Sequence, residues 1–164
     1  MSNYAIILNT IENEFINKVI DDINKALNTK SILPPHCTIL LFEGDNQSVK
    51  KFKAIEVKSL TLNCLGLATF EGDNNTIYIQ LEKNKELIDV YNYYLESFKE
   101  YEISDFSKFD NYIPHITLAT HLSDDEFKIA KEIAEKAMLP KVIKIQSVSI
   151  VNSDYIVKYN SNTK

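Results

Sequence analysis

The sequence predicts a mixed α+β fold, a bilobal and internally duplicated arrangement of two antiparallel or mixed sheets with flanking helices around a central cleft. Three observations predict it. Apolar periodicity alternates between short β-like runs and stretches at helix spacing, and does so twice in one order: strand, helix, histidine-bearing strand, helix, strand. Sharp polar turns at residues 71–75 and 152–154 read as hairpins, against the all-parallel sheet that strict alternation otherwise suggests. Two near-identical strings, Pro35-His36-Cys37-Thr38-Ile39 and Pro114-His115-Ile116-Thr117-Leu118, stand at matching places in the two halves. The chain is therefore expected to form one domain over 1–164, with lobes at about 1–72 and 73–164.

The elements follow in order. Tyr4 to Asn9 is a short apolar strand, after which Ile11, Phe15, Val19, Ile23, Ala26 and Leu27 recur at helix spacing, with Thr10 as the N-cap. Beyond Pro34-Pro35, His36 to Phe42 is β-like, Val49 to Ile55 suits a short helix, and Ser59 to Phe70 suits a long strand kinked or bulged at Gly66. Glu71-Gly72-Asp73-Asn74-Asn75 supplies the turn. The second half opens with a strand from Thr76 to Leu81 and a helix from Lys85 to Tyr101, whose apolar face carries Leu87, Val90, Tyr91, Tyr94, Leu95 and Phe98. A polar, aromatic-rich loop leads to a strand from His115 to His121. Ser123-Asp124-Asp125-Glu126 then has the form of a capping box with acidic residues at the positive end of a helix. Strands over Val142 to Val151 and Tyr155 to Tyr159 close the chain.

Composition narrows the function classes. With 18 basic residues against 23 acidic ones the net charge is −5, so a long nucleic acid would meet overall repulsion. All the basic residues are lysines, which removes the bidentate guanidinium clamp and leaves hydroxyls, His, Lys or backbone N–H groups to hold a phosphate. Cys37 and Cys64 sit in apolar runs outside any ligand pattern and read as free core thiols of a reducing compartment. The N-terminus lacks a basic leader and no apolar run approaches a membrane span, so a cytoplasmic protein without membrane contact is expected.

The chemistry centres on His36 and His115, 79 residues apart. Along a strand the side chains of residues i and i+2 project from one face, roughly 7 Å apart. His36 with Thr38, and His115 with Thr117, then face a cleft, while Cys37, Ile39, Ile116 and Leu118 face a core. Two imidazoles and two hydroxyls converging on one small volume suit a phosphodiester. A neutral His takes a proton from the attacking oxygen, a protonated His gives one to the leaving oxygen, and the threonines bond the non-bridging oxygens. An imidazole pKa of about 6.5 lets both forms coexist near neutral pH. No cofactor or metal is required, and no H-x-x-x-H, H-D or D-x-D string suggests one.

On these residues the sequence resembles the 2H phosphoesterase superfamily, whose members carry two H-x-[ST]-apolar motifs on a bilobal α+β fold and include 2'-5' RNA ligase-like proteins and cyclic nucleotide phosphodiesterases. The opening strand and helix, Leu65-Gly66-Leu67-Ala68-Thr69-Phe70 before Thr76-Ile77-Tyr78-Ile79, and Pro114 to Ala119 share in the resemblance, which spans nearly the whole chain. It implies His36 and His115 as the catalytic pair, Thr38 and Thr117 as phosphate anchors, and hydrolysis of a 2',3'-cyclic phosphate, a cyclic nucleotide or a short oligonucleotide end. Many members place an arginine soon after the second motif, whereas this chain continues Ala119-Thr120-His121.

Tyr4, Phe70 and Tyr112 lie at or near strand ends bordering the motifs and are candidates to stack on a base, with core packing the competing role. His121 shares the face of His115 but lies about 20 Å along, too far to share a phosphate, and reads as a surface residue. The expected partner is a small nucleotide or short RNA end, bound by a monomer. The rival function is a nucleotide-binding regulatory module with little or no turnover.

Overall fold

The computed structural model describes residues 1–31, 33–153 and 157–160. In chain order its elements are β1 (Ser2–Thr10), α1 (Glu14–Leu27), β2 (His36–Gly44), α2 (Asn46–Lys51), β3 (Thr61–Phe70), β4 (Asn75–Leu81), α3 (Lys85–Ser97), β5 (Glu102–Ile103), β6 (His115–Leu122), α4 (Asp124–Lys136), β7 (Val142–Asn152) and β8 (Val157–Asn160). The order matches the sequence expectation except for β5, a two-residue strand in a stretch expected to be a loop, and the other differences lie at element ends.

Asn13, not Thr10, caps α1, its side chain accepting from the N–H groups of Phe15 and Ile16. Thr10 is still inside β1, where it pairs with Ile145, and its hydroxyl donates to the Pro35 carbonyl at 3.2 Å. Ile11 and Phe15 consequently miss the buried helix face and remain 45% and 37% exposed. The second helix begins earlier than expected because Asp45 and Ser48 form a capping box around its first turn. Gly66 has φ +122° at an irregularity in the β3–β4 ladder, the expected bulge, and Ser123 with Glu126 forms the expected capping box. The turn at 152–154 and the Tyr155 start of the last strand fall partly outside the described residues.

Among the described residues every strand pairing is antiparallel. The strand order is β1-β2-β6-β4-β3-β7-β8, with β1 also pairing with β7 and the short β5 lying on β2. Two three-stranded groups result, β2-β1-β7 and β6-β4-β3. They are joined at the single pair Cys37↔Ile116 and again where Thr61, Leu62 and Asn63 meet Lys144, Ile143 and Val142. A boundary at residue 72 would cut the β3–β4 hairpin. Each spatial lobe instead takes its third strand from the other half of the sequence.

One main core holds the lobes together. Ile16, Val19 and Ile23 of α1, Leu87, Tyr91 and Tyr94 of α3, and Ala130 and Ala134 of α4 are buried against the inner face of the strands. Fully burying a side chain of Leu, Ile or Phe size contributes about 1.5–3 kcal/mol, which makes this face the main stabilising feature of the fold. The alternation inferred for the motif strands is present: Cys37, Ile39, Ile116 and Leu118 are buried in this core, and His36, Thr38, His115 and Thr117 are half-buried on the opposite face. No helix among the described residues is long and apolar enough to cross a membrane.

Candidate active site

The pair Cys37↔Ile116 fixes the centre of the site. Stepping outward from it on two antiparallel strands sets His36 beside Thr117 and Thr38 beside His115, all on the face opposite the core. Each motif strand is braced by a central strand. His36 is registered against Asn9 and Thr38 against Ile7, while His115 is registered against Gln80 and Thr117 against Tyr78.

Both imidazoles are held in the same way. Nδ1 of His36 lies 2.9 Å from the Pro34 carbonyl and Nδ1 of His115 lies 2.7 Å from the Ile113 carbonyl, two residues back in each case. A carbonyl only accepts, so each Nδ1 carries a hydrogen and each Nε2 is left to accept or donate a proton. The prolines at 35 and 114 supply the rigidity, because the residue before a proline is confined to extended backbone, which fixes where that carbonyl sits.

Burial pushes the pKa of both histidines below the ordinary 6.5, against the raising effect of their carbonyl partners, and for His36 the nearby charge of His115 lowers it further. The imidazolium form of each is therefore disfavoured, and the doubly protonated pair most of all. Among the described residues the hydroxyls of Thr38 and Thr117 have no hydrogen-bond partner within the protein. The Tyr112 hydroxyl donates to the Thr38 carbonyl at 2.9 Å and so ties the segment before one motif to the backbone of the other. Cys37 is a buried free thiol, raised to about 11 by burial, and is not a nucleophile at neutral pH.

The stacking candidates separate. Tyr4 is 3% exposed and packs against Phe42 with ring centroids 5.9 Å apart, so its ring belongs to the core. Tyr112 is 6% exposed and stacks on Tyr91, so it too has no face to offer a ligand. Both lie on strands or segments whose inward face is apolar, and aromatic area there is worth more buried. Phe70 differs, being 39% exposed while it stacks on Tyr78 at 4.4 Å and meets the His115 ring edge-on at 5.9 Å. Tyr78 completes this group at 4.9 Å from His115. Sequence reading singled out neither Tyr78 nor Asn9. The hairpin turn held the signal for Tyr78, because its register pairs Phe70 with Thr76 and so puts Tyr78 diagonal to Phe70 on one face. His121 is exposed, with φ 56° and its N–H donated to Asn74, away from the pair. Among the described residues no group of three or more His, Cys, Asp or Glu side chains is arranged to hold a metal ion.

Comparison with known proteins shows the wider relationship. The model of the 2'-5' RNA ligase superfamily matches residues 33–155, a span that contains both motif strands and the strands that brace β6. The chain belongs to the 2'-5' RNA ligase superfamily. Within it, the chain is similar to a protein of Oceanobacillus iheyensis named as a candidate phosphoesterase, 31% identical over 130 residues that cover 69% of this chain and 71% of that one. A similarly named protein of Bacillus licheniformis is 28% identical over 139 residues, covering 75% of this chain and 73% of its own. In structure this superfamily member is similar to Usb1 of Kluyveromyces marxianus, with a TM-score of 0.51 at 9% identity over 95% of this chain and 97% of that one, a likeness of fold. These relationships make the chain a 2H phosphoesterase by family.

Proposed function

We propose that this protein is a metal-independent phosphodiesterase that opens a 2',3'-cyclic phosphate, or cleaves a related small cyclic nucleotide or short oligonucleotide end, with His36 and His115 as its acid–base pair. The observation that carries the reading is the matched pair of Nδ1 contacts, 2.9 Å and 2.7 Å, which leaves two Nε2 atoms uncommitted on one face. In the reaction, water attacks phosphorus as its proton passes to the Nε2 of the neutral histidine. The bond from phosphorus to one ribose oxygen breaks, and that oxygen takes the proton from the other histidine. One P–O bond forms, one breaks, and the pair ends with its proton exchanged between members. Thr38 and Thr117 hold the non-bridging oxygens, and Phe70, braced by Tyr78, stacks on the base.

A small substrate is favoured because the net charge of −5 gives no general attraction for a long polyanion. The reading is tested by incubating the protein with 2',3'-cyclic nucleotides, 2'-5' dinucleotides and cyclic dinucleotides in EDTA, beside His36→Ala and His115→Ala. Turnover lost in both variants and kept in EDTA is the expected result. Turnover unchanged in both variants would remove the proposed pair, loss in EDTA would remove the metal-free mechanism, and binding without turnover would point to a regulatory module.

A further inference from the structure

The face carrying the histidines also carries a polar group that the catalytic pair does not use. Asn9 is half-buried and registered against His36, while Ser147 and Ser149 are 3% and 1% exposed on β7. The Asn9 amide nitrogen lies 3.0 Å from the Ser147 hydroxyl and 2.7 Å from that of Ser149. Burying two hydroxyls is unfavourable unless they are hydrogen-bonded. Packing does not demand them, because the second lobe places Gly66 opposite Gln80 and Ala68 opposite Tyr78, where the first places Ser147 opposite Asn9 and Ser149 opposite Ile7. The serines therefore serve Asn9.

Both serines meet one atom of the amide, so the other atom is turned away from them. In the structure the NH2 group donates to both serines and the amide oxygen is outward; because a serine hydroxyl donates as well as accepts, turning the amide end for end satisfies the same contacts with the NH2 group outward. An anion on this face favours that arrangement. Cross-strand neighbours of this kind have Cβ atoms about 4.5–5.5 Å apart, so Asn9 and His36 stand side by side on one face. With no arginine in the chain, the bidentate guanidinium clamp is missing, and a fixed neutral donor adds to the His, Lys, hydroxyl and backbone groups left to grip a phosphate. Gln80 occupies the equivalent place beside His115, but faces Gly66 and has nothing of this kind to hold it.

We propose that Asn9 is a phosphate-binding residue of this site, presenting its amide N–H to a non-bridging oxygen, with Ser147 and Ser149 as its positioning residues. The proposal rests on the phosphodiesterase reading above. It is tested by NMR titration with the four nucleoside 3'-monophosphates and, separately, the four nucleosides. The main variant combines Asn9→Leu, Ser147→Ala and Ser149→Ala, which removes the polar group without leaving a hydroxyl unpaired. Monophosphate affinity should fall about 10-fold to 100-fold and nucleoside affinity should stay unchanged. Unchanged monophosphate affinity, or an equal loss for nucleosides, would overturn the proposal. Should the triple variant not fold, Asn9→Asp keeps both serine contacts and turns a carboxylate oxygen outward. It should lose the monophosphate and keep the nucleoside, and equal affinities to wild type would again overturn it. Wild type that neither binds nor turns over any of these ligands removes the phosphodiesterase reading as well, whereas a normal wild type with unaltered variants removes only the role of Asn9.

Discussion

Beside its histidine strand the first lobe carries an amide and two hydroxyls, Asn9, Ser147 and Ser149, whereas the second sets two rings, Phe70 and Tyr78, against His115. The strands beneath are equivalent: each lobe has a central strand, a histidine strand and a third strand exchanged from the other half of the chain. The core positions Cys37 and Ile116 pair with each other, and the two Nδ1 contacts are alike. The halves thus match where packing and proton transfer constrain them and diverge on the wall. The nearly two-fold pair of histidines thereby acquires unlike surroundings. On the proposed function, a ligand with a polar end and a flat apolar end would lie with its phosphate toward Asn9 and its base toward Phe70.

The comparison breaks first at the histidines, where the lobes are alike. His36→Ala and His115→Ala should each lower kcat by about 10²-fold to 10⁴-fold, since acid and base are both needed. A steady-state assay showing one of them dispensable would mean that the equivalence of the lobes is only structural. The pH profile adds a sign. Burial disfavours the imidazolium of both residues, so more acid is needed to place one proton on the pair. The bell of kcat/KM should centre below the ordinary 6.5, with its basic limb falling as pH rises toward neutrality. A maximum above pH 7 would contradict the burial.

Smaller effects sharpen the comparison. Thr38→Val and Thr117→Val, near-isosteric changes, should each cost about 10²-fold in kcat, as loss of an oxyanion donor does. Phe70→Ala should raise the KM for a cyclic nucleotide about 5-fold to 150-fold, the range of one base–aromatic stack. It should leave ribose 2',3'-cyclic phosphate, which has no base, unaffected. Equal losses on both substrates would show that Phe70 supports the His115 ring rather than a ligand.

How much of this was legible in the sequence follows from which interactions are local. The strand alternation that turns His36 and Thr38 one way and Cys37 the other is a two-residue period, and two copies of Pro-His-x-Thr made the pair visible. The capping box at Ser123 and the bulge at Gly66 are local in the same sense. The placing of β7 in the first lobe was not legible, because its pairing with β1 joins residues 135 to 148 positions apart and leaves no trace in local periodicity. Asn9 escaped for that reason, its meaning coming from serines 138 and 140 residues away. Tyr4 and Tyr112 could be read either way because an aromatic at a strand end reads alike whether it turns inward or outward. Which way each turns depends on helices packed from elsewhere in the chain.

The smallest effect tests the tie between the lobes. Tyr112 is three residues before His115, yet its hydroxyl donates to the Thr38 carbonyl on the other motif strand. Tyr112→Phe keeps the ring stacked on Tyr91 and removes that bond together with the hydroxyl's weaker 3.8 Å contact to the Cys37 thiol. Leaving the carbonyl without this donor should cost about 1 kcal/mol, a fall in Tm of about 2–4 °C for a chain of this size. If the Cys37–Ile116 pairing and the shared core already hold the motifs in register, kcat/KM should change by less than about threefold, since each histidine keeps its own carbonyl partner. A large loss of activity with little loss of Tm would instead assign the register of the two motifs to this one hydroxyl, and would make the likeness of the two lobes depend on a residue that only one of them carries.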